Sequence, residues 1–302
     1  MKKRILKVVS ITIILLLLLS FTAFADTGPK PSVVIELVGL GNEPCYGTLL
    51  SQYESYGPNS AWKQGEEMRA YHDDDPDIWR KFVEYKDADG YYFLQQFWYC
   101  NDNSGFKWGY YPPDPFKILL YFPESDTFAV SSVYESYAFD SYYTINVAEL
   151  TELPTVSDKE NITAITDVLL TAEPSYNYKW EVISLLARIA ITLLLELAVA
   201  MLFGLKGKNI FGFIVAVNVI TQVLLNLILF GVDINYGSMA FTFNYILLEL
   251  AVFAAEAFLY TLYIKKKSVE YSTKKATIYA LAANAVSFGA GLALAHLIPG
   301  IF

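Results

Sequence analysis

The sequence predicts a multidomain membrane protein, with an extracellular antiparallel β-sandwich-like domain followed by a four-helix transmembrane α bundle. Three observations carry this. Four apolar segments, 182–204, 209–231, 241–264 and 276–298, follow one another with short gaps, and each reaches the ~20 residues that cross a bilayer's hydrocarbon core. Residues 26–150 alternate aromatic and β-branched runs with turn-forming clusters, which is the pattern of strands. Residues 1–25 have the layout of a secretory signal peptide, so the chain from Asp26 onward is expected to emerge outside the cell.

In the signal segment, Lys2, Lys3, Arg4 and Lys7 precede an apolar run over 8–19 and a small-x-small site at Ala23-Phe24-Ala25. No cysteine lies near that site, so a lipoprotein anchor is not expected.

The outer domain reads as strands at 32–40, 46–51, 91–100, 106–111, 116–122, 127–133 and 142–147, with a short helix over 77–83 opened by Pro76. Turn chemistry separates them at Gly41-Asn42-Glu43-Pro44, Asp87-Ala88-Asp89-Gly90, 101–105, Pro112-Pro113 and Pro123-Glu124-Ser125-Asp126. Strands at this spacing predict a small antiparallel sandwich. Cys45 and Cys100 are the only cysteines. An even count in an exported domain predicts one disulfide, worth on the order of 4 kcal/mol by loop-closure entropy.

Charge divides at residue 181. Residues 26–181 hold 26 acidic and 10 basic side chains, a net −16, against +7 for the rest and −9 overall. Such a domain does not bind nucleic acid or anionic polymers through charge. The carboxylates of Asp73-Asp74-Asp75-Pro76-Asp77 raise a calcium site as one reading and a solvated loop as the plainer one. Asp87–Gly90 lacks the remaining EF-hand ligands and reads as a turn. No metal or cofactor is expected. The Tyr-rich stretch 134–143, with Trp79, Trp98 and Trp108, offers a face for an extracellular protein or carbohydrate ligand, although aromatic residues are also what strands contain.

Residues 151–181 read as a polar juxtamembrane tether with a helical turn or two at 163–170. Tyr176, Tyr178 and Trp180 fit the aromatic belt at a membrane interface. Beyond it, Lys206 and Lys208 mark the first inter-helix loop, and Lys265, Lys266, Lys267, Lys274 and Lys275 mark the third. The second, 232–240, carries only Asp233. Positive loops stay cytoplasmic, which puts the N-terminal domain and the C-terminus outside a plasma membrane.

Polar residues inside the apolar segments form stripes. Ser184, Arg188, Thr192 and Glu196 are four apart, on one helical face. Asn218, Thr221, Gln222 and Asn226 share a face of the second segment, Glu249 and Glu256 with Tyr245 and Tyr260 one of the third, and Ala280, Asn284, Ser287 and Gly291 one of the fourth. At ~1.5 Å of rise per residue, Glu196, Asn218, Glu256 and Asn284 fall in one inner layer. Arg188 and Glu249 fall in an outer one as an expected ion pair. Such groups cost at least ~2.5–3.5 kcal/mol each against lipid, so the stripes should face one another. The inner layer holds two carboxylates and no cation, so a proton or a cation from elsewhere must balance it. The plainer reading is interhelical glue.

Known intramembrane chemistries find no residues here. HExxH is absent, and Ser287 and His296 lie nine residues apart on one helix, about 13 Å by its rise. The paired acids Glu66-Glu67 lie outside the membrane segments, and no catalytic residue is named.

The stretches KILLYFPESDTF and DADGYYFLQ, with Asn218-x-x-Thr221-Gln222 and Asn284-x-x-Ser287, give the chain a layout that resembles a family of Gram-positive membrane proteins. That resemblance implies a signal peptide, a Tyr-rich outer β domain and four helices. It implies no activity. The reading preferred from sequence is a surface sensor or binding module anchored by its helices and coupled to a membrane protein partner or a second copy, since the cytoplasmic loops are too short for an effector. The alternative is a small transporter or ion-binding protein using the inner layer.

Overall fold

The computed structural model describes residues 28–66, 75–101, 104–150, 168–267 and 271–297. The signal segment 1–25, Asp73 and Asp74 of the acidic loop, the tether 151–167 and the loop residues 268–270 lie outside them.

Twelve strands and one α-helix among the described residues, in chain order, build the N-terminal domain. They are β1 (Ser32–Val38), β2 (Cys45–Ser51), β3 (Ser55–Tyr56), β4 (Asn59–Ser60), α1 (Pro76–Glu84), β5 (Tyr92–Phe93), β6 (Trp98–Cys100), β7 (Phe106–Trp108), β8 (Phe116–Phe122), β9 (Thr127–Ser131), β10 (Asp140–Asn146), β11 (Val168–Leu170) and β12 (Ala172–Pro174). One sheet runs β12-β10-β1-β7 and the other β11-β9-β8-β2-β5, with β6 also on β2. Val33, Ile35 and Leu37 of β1 and Ile145 of β10 meet Leu49, Ile118, Leu120 and Phe122 of the second sheet in one core, as in a sandwich. β1 shows why it lies there, alternating buried Val33, Ile35 and Leu37 with exposed Glu36 and Val38. β8 is buried along its whole length. Its other face packs Leu119 and Tyr121 against Phe82 of α1, which explains a strand sequence without alternation.

Four expectations for this domain are corrected. The sheets are not purely antiparallel, because β1 pairs with β10 and β9 with β11 in parallel. Each pair is joined through a long excursion, which permits a parallel return. The strand expected at 91–100 is split into β5 and β6, which pair with opposite ends of β2 around a bulge. There Gln95 adopts φ 62 and donates to Ser60 O at 3.0 Å, local pairing that periodicity does not report. The predicted disulfide is absent. Cys45 and Cys100 lie opposite each other in register, but both are buried free thiols, with Sγ atoms near Tyr46 O (3.9 Å) and Trp98 O (3.5 Å) respectively. The Cys100 thiol and then burial push the Cys45 thiol well above its ordinary value. Finally, the tether does not reach 181 and has no helical turn at 168–170. β11 closes one sheet and, past Thr171, β12 closes the other.

Only Ser175, Tyr176 and Asn177 separate β12 from the first long helix, α2 (Tyr178–Leu202), whose N-cap Asn177 accepts from Trp180 N. The chain continues into α3 (Lys208–Lys267) and α4 (Thr273–Leu297). These three helices are long and apolar enough to cross a membrane. Four separate helices were expected; the middle two meet end to end within Lys208–Lys267, two helices separated only by a break at Gly237 with φ 79 and ψ 177. Straight, the run would be about 90 Å long, roughly three bilayer cores. It folds back instead. Tyr263 bonds Asn209, Tyr260 contacts Asn218, Thr221 bonds Glu256, and Tyr245 packs with Leu225 and Leu229, so the arms run antiparallel about the break. The loop expected over 232–240 is helical on both sides of Gly237. Asn235 donates to Gly231 O and Thr242 to Ser238 O, four residues back, so polar residues that would open a turn stay in the helix.

Residues 31–302 form one compact unit, and the sandwich touches the fold-back directly. Phe139 N donates to Ile234 O at 2.7 Å. A Cβ on Gly237 would lie 2.5 Å from the Phe139 ring. At the opposite end of the helices, Lys206 N donates to Tyr271 OH, and Lys275 reaches Gly204, so the two basic loops are neighbours.

Candidate functional site

Polar groups inside an apolar helix set need partners, because an unpaired polar group there forfeits a hydrogen bond. The α2 stripe of Ser184, Arg188, Thr192 and Glu196 is buried along its length, as its four-residue spacing demands. Ala276, Ala280 and Ala283, all fully buried, let α4 approach closely.

The inner-layer residues form one network. Asn218 Nδ2 donates to Glu196 Oε2 at 2.6 Å and lies 2.8 Å from Tyr260 OH. Glu256 accepts from Thr221 Oγ1 and from Asn284 Nδ2, both at 2.7 Å. The Tyr260 hydroxyl, with one hydrogen to give, lies within reach of both carboxylates, 3.5 Å from Glu196 Oε2. Tyr279 OH donates to the backbone oxygen of Glu196 at 3.3 Å. Glu196, Asn218, Glu256 and Asn284 are each at most 2% exposed.

The outer pair is arranged differently. Arg188 Nη1 donates to Asn226 Oδ1 at 2.6 Å, whereas the Glu249 carboxylate accepts from Tyr245, whose hydroxyl also lies in the field of Arg188. Tyr245 is therefore the residue common to both. Above them Arg188 and Asn226 line a cavity of about 450 Å³, with Leu185, Phe230 and Phe241 as walls and the carboxylates of Glu181 and Asp233 nearby.

In the N-terminal domain, aromatic residues divide by role. Trp108 is core, Trp98, Tyr134 and Tyr137 pack against it, and the Tyr143 hydroxyl donates to Glu135 O. Burial, and then the neighbouring tyrosines, push the Tyr143 phenol up to about 12. The exposed rings Tyr53, Tyr110 and Tyr111 lie elsewhere, beside the half-buried Tyr56 that packs against the core. Tyr53 stacks on Tyr56 at 6.5 Å, Tyr110 meets Tyr111 edge-on at 4.9 Å, and Gly57 packs on Tyr111. This platform opens into a cavity of about 360 Å³ lined by Tyr56, Tyr111, Asp114 and Tyr137 of the sandwich and by Ile234 and Asn235 of the fold-back. Burial, and then the Asp114 carboxylate, raise the Tyr56 phenol, which keeps its hydroxyl a donor.

Among the described residues no group of three or more metal-ligating side chains is found. Asp87 and Asp89 are taken by Lys117 Nζ, at 2.9 and 2.6 Å. Asp75 accepts from Tyr46 OH.

Three participants are not named as site residues from sequence. Tyr260 was signalled by its place four residues after Glu256. Tyr279 carries no such signal, since its face is fixed only by how α4 docks. Lys117 sits within an apolar strand run, and its partners lie 28 and 30 residues away. Comparison with protein-family profiles, with curated proteins and with solved structures finds no match to this chain.

Proposed function

We propose that this chain is a membrane-anchored surface sensor, a binding module whose outer sandwich takes a neutral saccharide and whose helices relay occupancy to a membrane partner. The observation that carries it is the cavity shared between the exposed tyrosine platform and the α3 fold-back. Aromatic faces beside a carboxylate and an amide suit a sugar, with its apolar C–H face and ring of hydroxyls. A ligand there touches both bodies at once. Motion would not be lost in a floppy linker, because three residues join β12 to α2 and Phe139 bonds Ile234. The two neighbouring basic loops support placing that end of the helices in the cytoplasm and the sandwich outside. The two arms of α3 with α2 and α4 then make four membrane crossings.

Binding of the purified full-length chain to an array of neutral oligosaccharides tests this. Tyr56→Ala and Tyr111→Ala should each weaken the best binder about tenfold or more, about 1.4 kcal/mol, with folding unchanged by circular dichroism. Absence of any saccharide binder, or binding indifferent to both substitutions, removes the proposal.

A second reading, a small transporter, is favoured by a different observation. The cavity at Arg188 and Asn226 lies above the Glu249 and Glu256 carboxylates, giving polar groups at successive depths in an otherwise apolar helix set.

A further inference from the structure

Hydrogen-bond accounting around Glu196 leaves a specific deficit. Both residues of the Glu196–Asn218 pair are sealed, 1% and 0% exposed. Asn218 Nδ2 has two hydrogens, and Glu196 Oε2, Ile214 O and Tyr260 OH surround it at 2.6, 3.1 and 2.8 Å. The other oxygen of each group, Glu196 Oε1 and Asn218 Oδ1, is buried and has no hydrogen-bond partner among the described residues. Turning the amide over does not help, since it would set two acceptors, Oδ1 and Oε2, against each other. Each of these two acceptors lacks a donor.

We infer that Glu196 and Asn218 form a binding site for a single proton. A proton on Glu196 Oε1 converts that oxygen to a donor, which the partnerless Asn218 Oδ1 can accept. Acid and amide then exchange two hydrogen bonds in a ring, N–H to Oε2 and O–H to Oδ1. One ligand thereby satisfies both deficient atoms. The balance is simple: hydronium gives its proton to the carboxylate, water is released, and the site passes from a charge of −1 to zero. The titratable and charged groups around the site, among the described residues, come from three helices. Glu256 and Glu249 face Glu196 from α3, the phenols at the site are Tyr260 from α3 and Tyr279 from α4, and Arg188, two turns away on α2, bonds Asn226. The Tyr260 hydroxyl, within reach of both Glu196 and Glu256, gives the proton a route between the two carboxyls by passing its own hydrogen to one while taking one from the other. The site goes beyond the saccharide reading and stands without it.

The test uses the full-length chain in lipid vesicles, read by infrared difference spectroscopy across a pH titration in water and heavy water. The wild type should show a protonated-carboxyl C=O band that shifts on deuteration and is lost in Glu196→Gln. In Asn218→Leu the band should move to higher frequency, because its O–H acceptor is gone. Glu196→Gln should melt as wild type does, since its amide N–H replaces the acid O–H, whereas Glu196→Ala should melt lower. Absence of such a band at every pH at which the protein is folded overturns the site. So does its loss in Glu256→Gln with retention in Glu196→Gln. Saturable binding of radioactive sodium that Glu196→Gln abolishes would also overturn it, because a metal cation would then occupy the position.

Discussion

Lys117→Met destabilises the sandwich by about 3 kcal/mol, the lower end of the range for breaking a buried ion pair. The lysine is 4% exposed, and its principal partner Asp87 is 8% exposed. Its removal leaves a buried carboxylate uncompensated. The loss stays at the low end because Asp87 Oδ2 keeps two backbone donors, Asp89 N at 3.0 Å and Tyr91 N at 3.2 Å. Asp89 contributes little, being largely exposed. Urea denaturation followed by tryptophan fluorescence measures this, and Lys117→Met with Asp87→Asn should recover part of the loss. The same group sets an alkaline limit. Burial acts to depress Lys117, yet hydrogen bonds to Asp89 and Asp87 outweigh it and hold the ammonium above its ordinary 10.5. A folded value above the unfolded one means that the contribution is complete below pH 10.5 and is lost as pH rises through the folded value. The wild type should weaken in that window, and Lys117→Met should not show that step. Equal stability of variant and wild type at pH 7 would contradict the assignment.

Gly237→Ala has the other large effect, at the fold-back of α3. Its φ of 79° with ψ of 177° belongs to a region that only glycine occupies freely, at about 1–3 kcal/mol for other residues. A Cβ there would also stand 2.5 Å from the Phe139 ring, and overpacking adds a further 1–3 kcal/mol or so. The two terms separate by experiment. Phe139→Ala in the Gly237→Ala background should restore the packing part and leave the backbone part. The readout is thermal unfolding, together with cross-linking of cysteines placed at Asn209 and Tyr263, which touch only when the arms are folded together. Unimpaired cross-linking and melting in Gly237→Ala would show that the break is not held there.

The buried network is partly legible in the sequence. A four-residue spacing puts Arg188 and Glu196 on one face, and helical rise gives depth, so Glu196, Asn218, Glu256 and Asn284 can be assigned to one layer. Spacing gives angle and depth within a helix but not the rotation of one helix against another. For that reason the contact of Arg188 with Asn226 cannot be read from it, whereas Tyr245 beside Glu249, four residues apart on one helix, can. Tyr279 is hidden on the same ground.

Sequence by itself determined where apolar helix and aromatic strand lie, because burial against oil or core is written in periodicity and composition. It also determined that basic residues gather at one end of the helices and acidic ones in the outer domain, since charge is a property of the chain alone. Tertiary structure decided what depends on a partner distant in sequence. It set the parallel pairing of β1 with β10, left two free thiols facing each other, and completed both sheets with residues 168–174, two strands of three residues each that are too short to announce themselves. It also turned a run of Gly, Asn and Asp into a helix broken only at Gly237. There a single glycine fits under Phe139, and that contact exists only once sandwich and helices have met.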